Sequence, residues 1–251
     1  MIPHLSYSSL LLFLNNPVAW ENKYIKGIRE QPTSPAALTG VAFHKYAEMR
    51  MRGQSDSVAI EAALIKMKSI TDVEWGKTGS IEKCEDDLHK FILAWKSDYA
   101  VVGSVVDVER CFTESIKGIK IPLLGYADLV VSRETSLHVI DWKTTRTLED
   151  DLKPVHIVQG FIYKFLCEKT YGKKVSTFEV VQIKPSVSKD GTPSVKVLVL
   201  NFDEHPEYEK ATKRLIKESL KQMTKKNAVR LCNLRDEYEA DSSWNSWVAS
   251  S

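Results

Sequence analysis

The chain has 251 residues, of which 43% are hydrophobic and 27% are charged, a balance typical of folded globular proteins. This composition excludes a disordered or collagen-like chain and allows one large core-bearing domain. The 35 Lys and Arg residues against 33 Asp and Glu residues give a net charge of only +2. Any attraction to nucleic acid must therefore come from a local basic patch.

The cysteines and the N-terminus indicate the compartment. Cys84, Cys111, Cys167 and Cys232 are widely scattered, without the paired spacing of a zinc or iron–sulfur site, so they are typical of free thiols in a reducing compartment. The short apolar run at residues 10–14 lacks a preceding basic segment and is far too short to span a membrane. We expect a soluble cytoplasmic protein with no membrane partner.

The first hundred residues have a helical pattern. Ser6 is a typical N-cap for a short apolar helix that Asn15, Asn16 and Pro17 interrupt or end. Apolar residues then recur at helical spacing from residue 38 to about residue 100, in three blocks.

Strands follow, and then helices and strands alternate. A three-stranded antiparallel meander is predicted at residues 105–113, 119–131 and 137–142, which are rich in β-branched and apolar side chains. The remaining predicted elements are a helix at 154–171, strands at 177–185 and 194–201 joined across residues 188–191, and a charged helix at 206–227. A polar tail with Trp244 and Trp247 ends the chain.

Two acidic residues of the meander are candidates for chemistry. Residues two apart on a strand share a face, so Asp141 and Lys143 extend the apolar face of Leu137 and Val139. Alone, an Asp-x-Lys sequence is most simply a surface ion pair. By the same alternation, Asp128 shares a face with apolar neighbours such as Val130, and a turn near residues 133–136 brings it beside Asp141. Two adjacent carboxylates repel unless a cation lies between them, so a shared divalent metal ion is the simplest interpretation.

Two helical pairs add further candidates. His44 and Glu48 are four residues apart, hence on one helix face, where the carboxylate can fix the imidazole tautomer. Gln159 and Tyr163 have the same spacing and can present an amide and a hydroxyl to a phosphate or a water molecule. Each pair alone is equally compatible with a purely structural contact.

The order of these residues along the chain resembles the PD-(D/E)XK nuclease superfamily, specifically its RecB-type branch, which includes CRISPR-associated and mitochondrial genome-maintenance exonucleases. The matching pattern runs from about residue 5 to about residue 171 and consists of the opening Leu5-Ser6-Tyr7-Ser8-Ser9, Gly40 with His44 and Glu48, Gly125 with Asp128, Asp141 with Lys143, and Gln159 with Tyr163. The resemblance implies an α/β (α+β) fold with a restriction-endonuclease-like mixed β-sheet flanked by helices and an N-terminal helical elaboration.

The resemblance also implies roles for individual residues. His44, Asp128, Asp141 and the backbone carbonyl of Trp142 would hold the metal ion, and Lys143 would be the catalytic lysine. Glu48, Gln159, Tyr163 and Arg146 would support the site or contact substrate. We expect Mg²⁺ or Mn²⁺ as the cofactor, because the imidazole shifts an oxygen ligand set toward manganese.

The chain departs from those relatives that carry an iron–sulfur cluster. Their opening helix has one cysteine and their C-terminal part has three, whereas here only Cys232 lies late in the chain. We therefore predict that no iron–sulfur cluster is present. As domain organisation we predict one nuclease domain over residues 1–251, a helical insertion or arch at 45–104, and a basic helix and tail at 206–251.

The expected function is metal-dependent hydrolysis of DNA, by an exonuclease that acts on ends with single-stranded character. A structure-specific endonuclease and a catalytically silent nucleic-acid-binding module of the same fold remain alternatives. A phosphatase is disfavoured, because the sequence contains no glycine-rich phosphate loop. A homo-oligomer and a recombination or replication protein are open as partners, and the compact chain favours a phage- or prophage-encoded origin.

The last predicted helix is the candidate DNA-binding surface. It carries basic residues at spacings of three and four, namely Lys210, Lys213, Arg214, Lys217 and Lys221, followed by Lys225. A solvated charged face has the same pattern, so both interpretations remain open.

Overall fold

The computed structural model describes residues 2–28, 32–77, 79–185 and 194–225. The helices are α1 (Tyr7–Asn15), α2 (Pro17–Glu21), α3 (Pro35–Met51), α4 (Asp56–Lys68), α5 (Ile81–Asp98), α6 (Pro154–Tyr171) and α7 (Pro206–Met223). The strands are β1 (Leu5–Ser6), β2 (Ser104–Glu114), β3 (Leu123–Arg133), β4 (Ser136–Thr144), β5 (Val175–Ile183) and β6 (Val195–Asn201).

Capping residues set the starts of the first helices. The Ser6 side chain accepts a 3.1 Å hydrogen bond from the backbone N–H of Ser9, so α1 begins where the sequence predicts. Asn16 caps α2 in the same way, and Pro17 occupies the first position of that helix, where its missing N–H has no consequence. The predicted interruption after α1 is confirmed.

The described strands form one mixed six-stranded sheet. Its main order is β1-β3-β4-β5-β6, with β2 also paired to β3. The pairs β2–β3, β3–β4 and β5–β6 are antiparallel, whereas β4–β5 and β1–β3 are parallel. The parallel strands β4 and β5 are connected through α6, because a parallel pair needs a crossover connection. The predicted fold class, a mixed central sheet flanked by helices with N-terminal helices, is confirmed.

Both faces of the sheet are covered. On one face, α1, α6 and α7 bury a core that includes Phe161 and Phe178. On the other face, α3, α4 and α5 bury a second core, in which Trp95 packs edge-on against Trp142 of β4. The sheet is therefore the shared wall of two apolar cores.

The very short β1 determines where the first helix begins. β2 pairs with Leu123 and Leu124 along one edge of β3, so β1, which pairs with the same two residues, lies on the opposite edge. Further along, that opposite edge pairs with β4. The end of β1, and with it the first turn of α1, therefore points toward the end of β4 that carries Asp141 and Lys143.

The meander is confirmed as antiparallel, with some shifted boundaries. β3 begins at Leu123, not at residue 119, after a turn in which Gly118 adopts a left-handed φ of 80°. The sequence analysis did not predict β1. The junction at residues 188–191, the tail with Trp244 and Trp247, and Cys232 lie outside the described residues. The division into a domain at 1–251, an insertion at 45–104 and a C-terminal segment at 206–251 stays a prediction.

Among the described residues, none of the helices combines the length and the apolar content that crossing a membrane requires.

Candidate active site

Two carboxylates meet where β3 and β4 begin to separate. Leu129 of β3 pairs with Ile140 of β4, so Asp128 and Asp141 occupy the next positions in the same register. Asp128 Oδ2 accepts a 2.8 Å hydrogen bond from the backbone N–H of Trp142. This bond holds the Asp128 carboxylate against the end of β4. Both acids are buried, at 6% and 3% exposure.

His44 of α3 lies against the Asp128 carboxylate. Its Nδ1 atom is 3.3 Å from Asp128 Oδ1 and 3.7 Å from Glu109 Oε1, a residue of β2. Burial by itself lowers the imidazole pKa, but the Asp128 and Glu109 carboxylates outweigh that effect and raise the pKa of His44 to about 10. Without a metal ion, the protonated imidazole therefore serves as the cation between the two carboxylates.

The backbone of β2 explains how Glu109 reaches this site. Glu109 has a φ of 50°, which is unusual for a residue with a side chain inside a strand. On the neighbouring strand β3, Ala127 packs into the core that α1, α6 and α7 cover (the α6-side core), whereas Leu129 packs into the core that α3, α4 and α5 cover (the α3-side core). In a regular strand, residues two apart would lie on the same face. The regular alternation of faces is therefore broken at this point of both strands.

This break corrects one expectation. Asp128 does not share the face of Val130, which packs in the α6-side core, because its carboxylate turns to His44 on the α3 side. Glu109 is a site residue that was not predicted. Its position opposite Asp128 across β2 and β3 was the available signal, because the predicted antiparallel meander places a third acid beside the other two.

Asp141 belongs to the other face of the sheet. Its Oδ2 atom is 2.8 Å from Lys143 Nζ, and its Oδ1 atom accepts a 2.8 Å hydrogen bond from Gln159 Nε2 of α6. Leu137 and Val139 pack on the same side, which agrees with the expected strand face. Burial raises the pKa of Asp141 to about 6, the Lys143 ammonium opposes this, and the Asp128 charge adds to it.

Lys143 remains a cation in this environment. Burial alone lowers its pKa, but the Asp141 carboxylate more than compensates, so the pKa of Lys143 lies above its ordinary value. The side chain is 39% exposed, which leaves the ammonium accessible from the open end of the sheet. A protonated, partly exposed ammonium suits the stabilisation of developing negative charge.

Two tyrosines complete the α6 side of the site. The amide of Gln159 lies 3.4 Å from the hydroxyl of Tyr163, so the predicted pair of α6 faces Asp141. Tyr7, at the start of α1, was missed. Burial raises the pKa of Tyr7, and the charges of Lys143 and Asp141 act on it in opposite directions. Tyr7 reaches the site because β1 places the first turn of α1 beside the end of β4. A strand of two residues has no recognisable sequence pattern, so this approach could not be predicted.

Glu48 has other partners than the expected one. Its carboxylate pairs with Lys45 at 2.9 Å and with Arg52 at 3.1 Å, whereas the second carboxylate beside His44 is that of Glu109. The helical spacing places Glu48 near His44, but two cations on the same helix compete for its carboxylate. These contacts give no support to fixing of the His44 imidazole by Glu48, and its part in supporting the site or contacting substrate stays a prediction.

The remaining predicted residues lie further out. The Arg146 guanidinium pairs with Asp87 of α5, and its side chain is 65% exposed. On α7, two lysines of the basic stripe already have acidic partners, because Lys213 pairs with Glu209 at 2.6 Å and Lys221 with Glu218 at 2.8 Å. Lys210, Arg214 and Lys217 are exposed. Contact of this stripe with DNA stays a prediction.

The site can accept a divalent metal ion. The ligand atoms of His44, Glu109 and Asp128 all lie within 4.8 Å of one another. Ligand atoms at roughly 2.0–2.2 Å from one ion lie roughly 3–3.5 Å apart, close to the observed His44 separations. One imidazole nitrogen with two carboxylate oxygens is a donor set for Mn²⁺, Mg²⁺ or a similar ion. The Asp141 oxygens contact Lys143 and Gln159. Asp141 and the Trp142 carbonyl stay predicted ligands.

An open cleft gives access to these ligands. It has a volume of about 410 Å³, and His44 and Glu109 line it together with Glu48. Lys45 and Lys66 are also among its lining residues. The cleft therefore combines acidic and basic groups, as expected where a metal ion and a phosphate meet.

Comparisons with known proteins agree with this architecture. No curated protein sequence matches the chain. Among solved structures, the protein of Eubacterium rectale named as a "putative exonuclease" superposes with a TM-score of 0.63, at 11% identity, over 94% of this chain and 86% of that one. At this identity the similarity concerns the fold. SSO0001 superposes over 87% of this chain and 84% of that one at 16% identity, with a TM-score of 0.33, which is too low to support an argument.

The family model settles the relationship. A model described as the PD-(D/E)XK nuclease superfamily matches residues 4–236, which is nearly the whole chain and includes every site residue described above. The chain belongs to the PD-(D/E)XK nuclease superfamily.

Proposed function

We propose that the protein is a divalent-metal-dependent DNA nuclease that removes nucleotides from ends with single-stranded character. The observation that carries the proposal is the convergence of His44, Asp128 and Glu109, next to the Asp141–Lys143 pair, at the open end of the sheet. A metal ligand set beside a cation is what phosphodiester hydrolysis requires.

His44, Asp128 and Glu109 would hold the ion, and Asp141 is the further candidate ligand. A bound divalent ion supplies Lewis-acid activation of water near neutral pH and neutralises charge on the phosphate. To bind it, His44 gives up the proton that it shares with the two carboxylates. The hydrogen bond from the Trp142 N–H keeps Asp128 in place through this exchange.

Lys143 acts on the phosphate. Its raised pKa keeps the side chain protonated at neutral pH, so we assign it to charge stabilisation and to orientation of the attacking water, and not to proton removal. Asp141 holds the ammonium at 2.8 Å, and Gln159 holds Asp141 from the other side. Gln159 and Tyr163 thereby position the lysine without a direct part in the chemistry.

Two observations support exonuclease action over an endonuclease. The Eubacterium rectale protein with the same fold carries an exonuclease name, and α3 and α4 wall the cleft with Lys45 and Lys66.

The test uses single-stranded DNA in linear and covalently closed circular form, with Mg²⁺, with Mn²⁺ and with chelator. We expect degradation of the linear form with both ions and none in chelator. Equal attack on the circle would replace the exonuclease by an endonuclease. Binding of DNA without cleavage in either ion would favour the silent nucleic-acid-binding module.

A further inference from the structure

A second cavity lies beside the end of β4, on the side of α3 and α5. Its volume is about 550 Å³, within the range of roughly 300–1,000 Å³ in which proteins bind small organic groups. Thr144, the residue after Lys143, lines this cavity. A methyl group added at Gly40 would come within 3.2 Å of Thr144 Oγ1, and Gly40 also lines the metal-site cleft. The cavity and the cleft therefore meet at the contact between Gly40 and Thr144.

The walls of this cavity suit a nucleotide. Lys83 and Arg146 supply two cations, and Trp75 supplies a half-buried indole. Ser34 and Ser80, the N-caps of the long helices α3 and α5, also line it, so the positive ends of two helix dipoles add to the same field. Among the described lining residues Asp87 is the one acid, and it is paired with Arg146. The net charge of these lining side chains is therefore positive.

The cavity is held open by backbone contacts. Thr33, just before α3, forms a parallel bridge with Val73, with hydrogen bonds of 2.9 Å from the Thr33 N–H to Asp72 and 3.0 Å from the Glu74 N–H to Thr33. The Gly79 N–H donates a 3.0 Å hydrogen bond to the carbonyl of Trp75. The segment that carries Trp75 is thus fixed to the start of α3, and binding does not have to form the cavity.

We propose that this cavity is a subsite for a nucleotide of the single-stranded substrate next to the scissile phosphate. The base stacks on Trp75, and the phosphodiester contacts Lys83 and Arg146. The inference rests on the proposed nuclease function, because it takes the cleft at His44 as the point of cleavage. It adds a substrate-positioning surface that neither the metal ligands nor the α7 stripe provides.

The first test measures binding in chelator, so it does not depend on catalysis. The affinity of a short labelled single-stranded oligonucleotide is followed by fluorescence anisotropy at several salt concentrations. Each phosphate contact contributes about 0.7 to the slope of log affinity against log salt for a single strand. We expect Lys83→Gln and Arg146→Gln each to lower the slope by about that amount, and Lys96→Gln, on the same helix α5 but outside the cavity lining, to leave it unchanged.

Trp75 gives a different signature. Loss of one base–aromatic stack weakens single-strand binding by about 5- to 100-fold. Trp75→Ala should therefore lower the affinity without altering the salt slope. Trp75→Phe, which retains an aromatic face, should lower it less and guards against loss of packing. Unchanged affinity in Trp75→Ala, or equal slopes for Lys83→Gln and Lys96→Gln, would overturn the subsite.

The second test separates the subsite from the nuclease proposal. A dinucleotide substrate has no phosphodiester besides the scissile one, so Lys83 has no further phosphate to contact and Lys83→Gln should cleave it like the wild type, whereas on a longer strand the KM of this variant should rise with little change in kcat. If wild-type protein cleaves nothing in either metal, the nuclease proposal fails, and the binding data still decide whether the cavity holds DNA. If cleavage is normal but Lys83→Gln has no effect at any length, the subsite alone fails.

Discussion

The carboxylate of Asp128 accepts a 2.8 Å hydrogen bond from the backbone N–H of Trp142, which ties an acid of β3 to the strand that carries Asp141 and Lys143. One main-chain bond therefore joins the metal-binding half of the site, on the α3 side, to the Lys143 half, on the α6 side. The sheet lies between the two halves, so their spacing is set by strand register and not by flexible loops.

The two acids beside His44 differ in their expected importance. Glu109→Gln should weaken Mn²⁺ binding by about tenfold or more, because it replaces the negatively charged carboxylate 3.7 Å from His44 Nδ1 by a neutral amide. Glu48→Gln is the matched control, since its carboxylate pairs with Lys45 and Arg52, and its Mn²⁺ affinity should stay within about twofold of wild type. Isothermal titration calorimetry measures both. Equal losses would restore the role that the sequence predicted for Glu48.

Lys143→Ala should abolish cleavage while largely sparing affinity for DNA. Loss of a charge that stabilises the transition state lowers kcat by about 100-fold or more. Single-turnover cleavage and anisotropy in chelator separate the two effects. Lys96→Ala, which removes a lysine far along α5, is the control. Wild-type turnover in Lys143→Ala would refute the assignment.

Substitution of Gln159 should lower kcat more than substitution of Tyr163. Gln159→Leu removes the 2.8 Å hydrogen bond to Asp141 and should lower kcat by about 10- to 100-fold. Tyr163→Phe removes only a 3.4 Å contact with Gln159, so its effect should be smaller. Both variants should keep their thermal stability within a few degrees. A larger loss in Tyr163→Phe would indicate that the hydroxyl contacts substrate directly.

His44 makes the stability of the metal-free protein depend on pH. Its folded-state pKa of about 10 lies above the ordinary value of 6.5, so the stabilisation is complete below pH 6.5 and is lost as the pH rises toward 10. The free energy of unfolding of the wild type relative to His44→Gln should therefore fall by more than about 1 kcal/mol across this window.

Urea unfolding in chelator measures this difference at several pH values. His89→Gln is the control, because His89 is exposed on α5 and its Nδ1 lies 2.8 Å from the backbone carbonyl of Glu85 in the same helix. A difference between wild type and His44→Gln that stays constant from pH 6 to pH 10 would show that the imidazole does not hold its proton between Asp128 and Glu109.

Gly125 links the sheet to the α6 side of the site. A Cβ at this position would lie 2.7 Å from Leu166 Cδ1 and 2.9 Å from Tyr163 Cε1, closer than real contacts allow. Gly125→Ala should therefore destabilise the protein by about 1–3 kcal/mol. Leu166→Ala in the same chain removes one of the two clashes, so the double variant should lose less than the sum of the single variants. Additive losses would contradict this packing.

Much of the fold followed from the sequence, for identifiable reasons. The 154–171 helix has a proline at its start and a glycine past its end, and α6 has those bounds, with Gly172 at a left-handed φ of 62°. The meander followed from β-branched segments separated by turn residues. In contrast, β1 has only two residues and shows no periodicity, so its pairing with β3, and the resulting approach of Tyr7 to Lys143, had no local signal.

The site itself was predicted in part. The spacing of Asp141 and Lys143 on one strand was sufficient to place their side chains together, because a regular strand alternates its faces. The same rule failed for Asp128, since the backbone irregularity at Glu109 shifts the alternation on both strands. Helix spacing placed Glu48 near His44, but it could not show that the Glu48 carboxylate pairs with Lys45 and Arg52 of the same helix. The carboxylate that lies beside His44, that of Glu109, comes from a strand and depends on tertiary geometry.

The rate of Mn²⁺-dependent cleavage of linear single-stranded DNA by Asp128→Asn, beside wild type and Glu48→Gln, shows whether the Asp128 carboxylate helps to hold the catalytic ion. Asp128 contacts His44, bonds to Trp142 and lies next to Asp141, so the account predicts that Asp128→Asn loses at least about 100-fold in rate while Glu48→Gln stays close to wild type. Cleavage by folded Asp128→Asn at the wild-type rate would contradict the claim that these residues hold the catalytic ion.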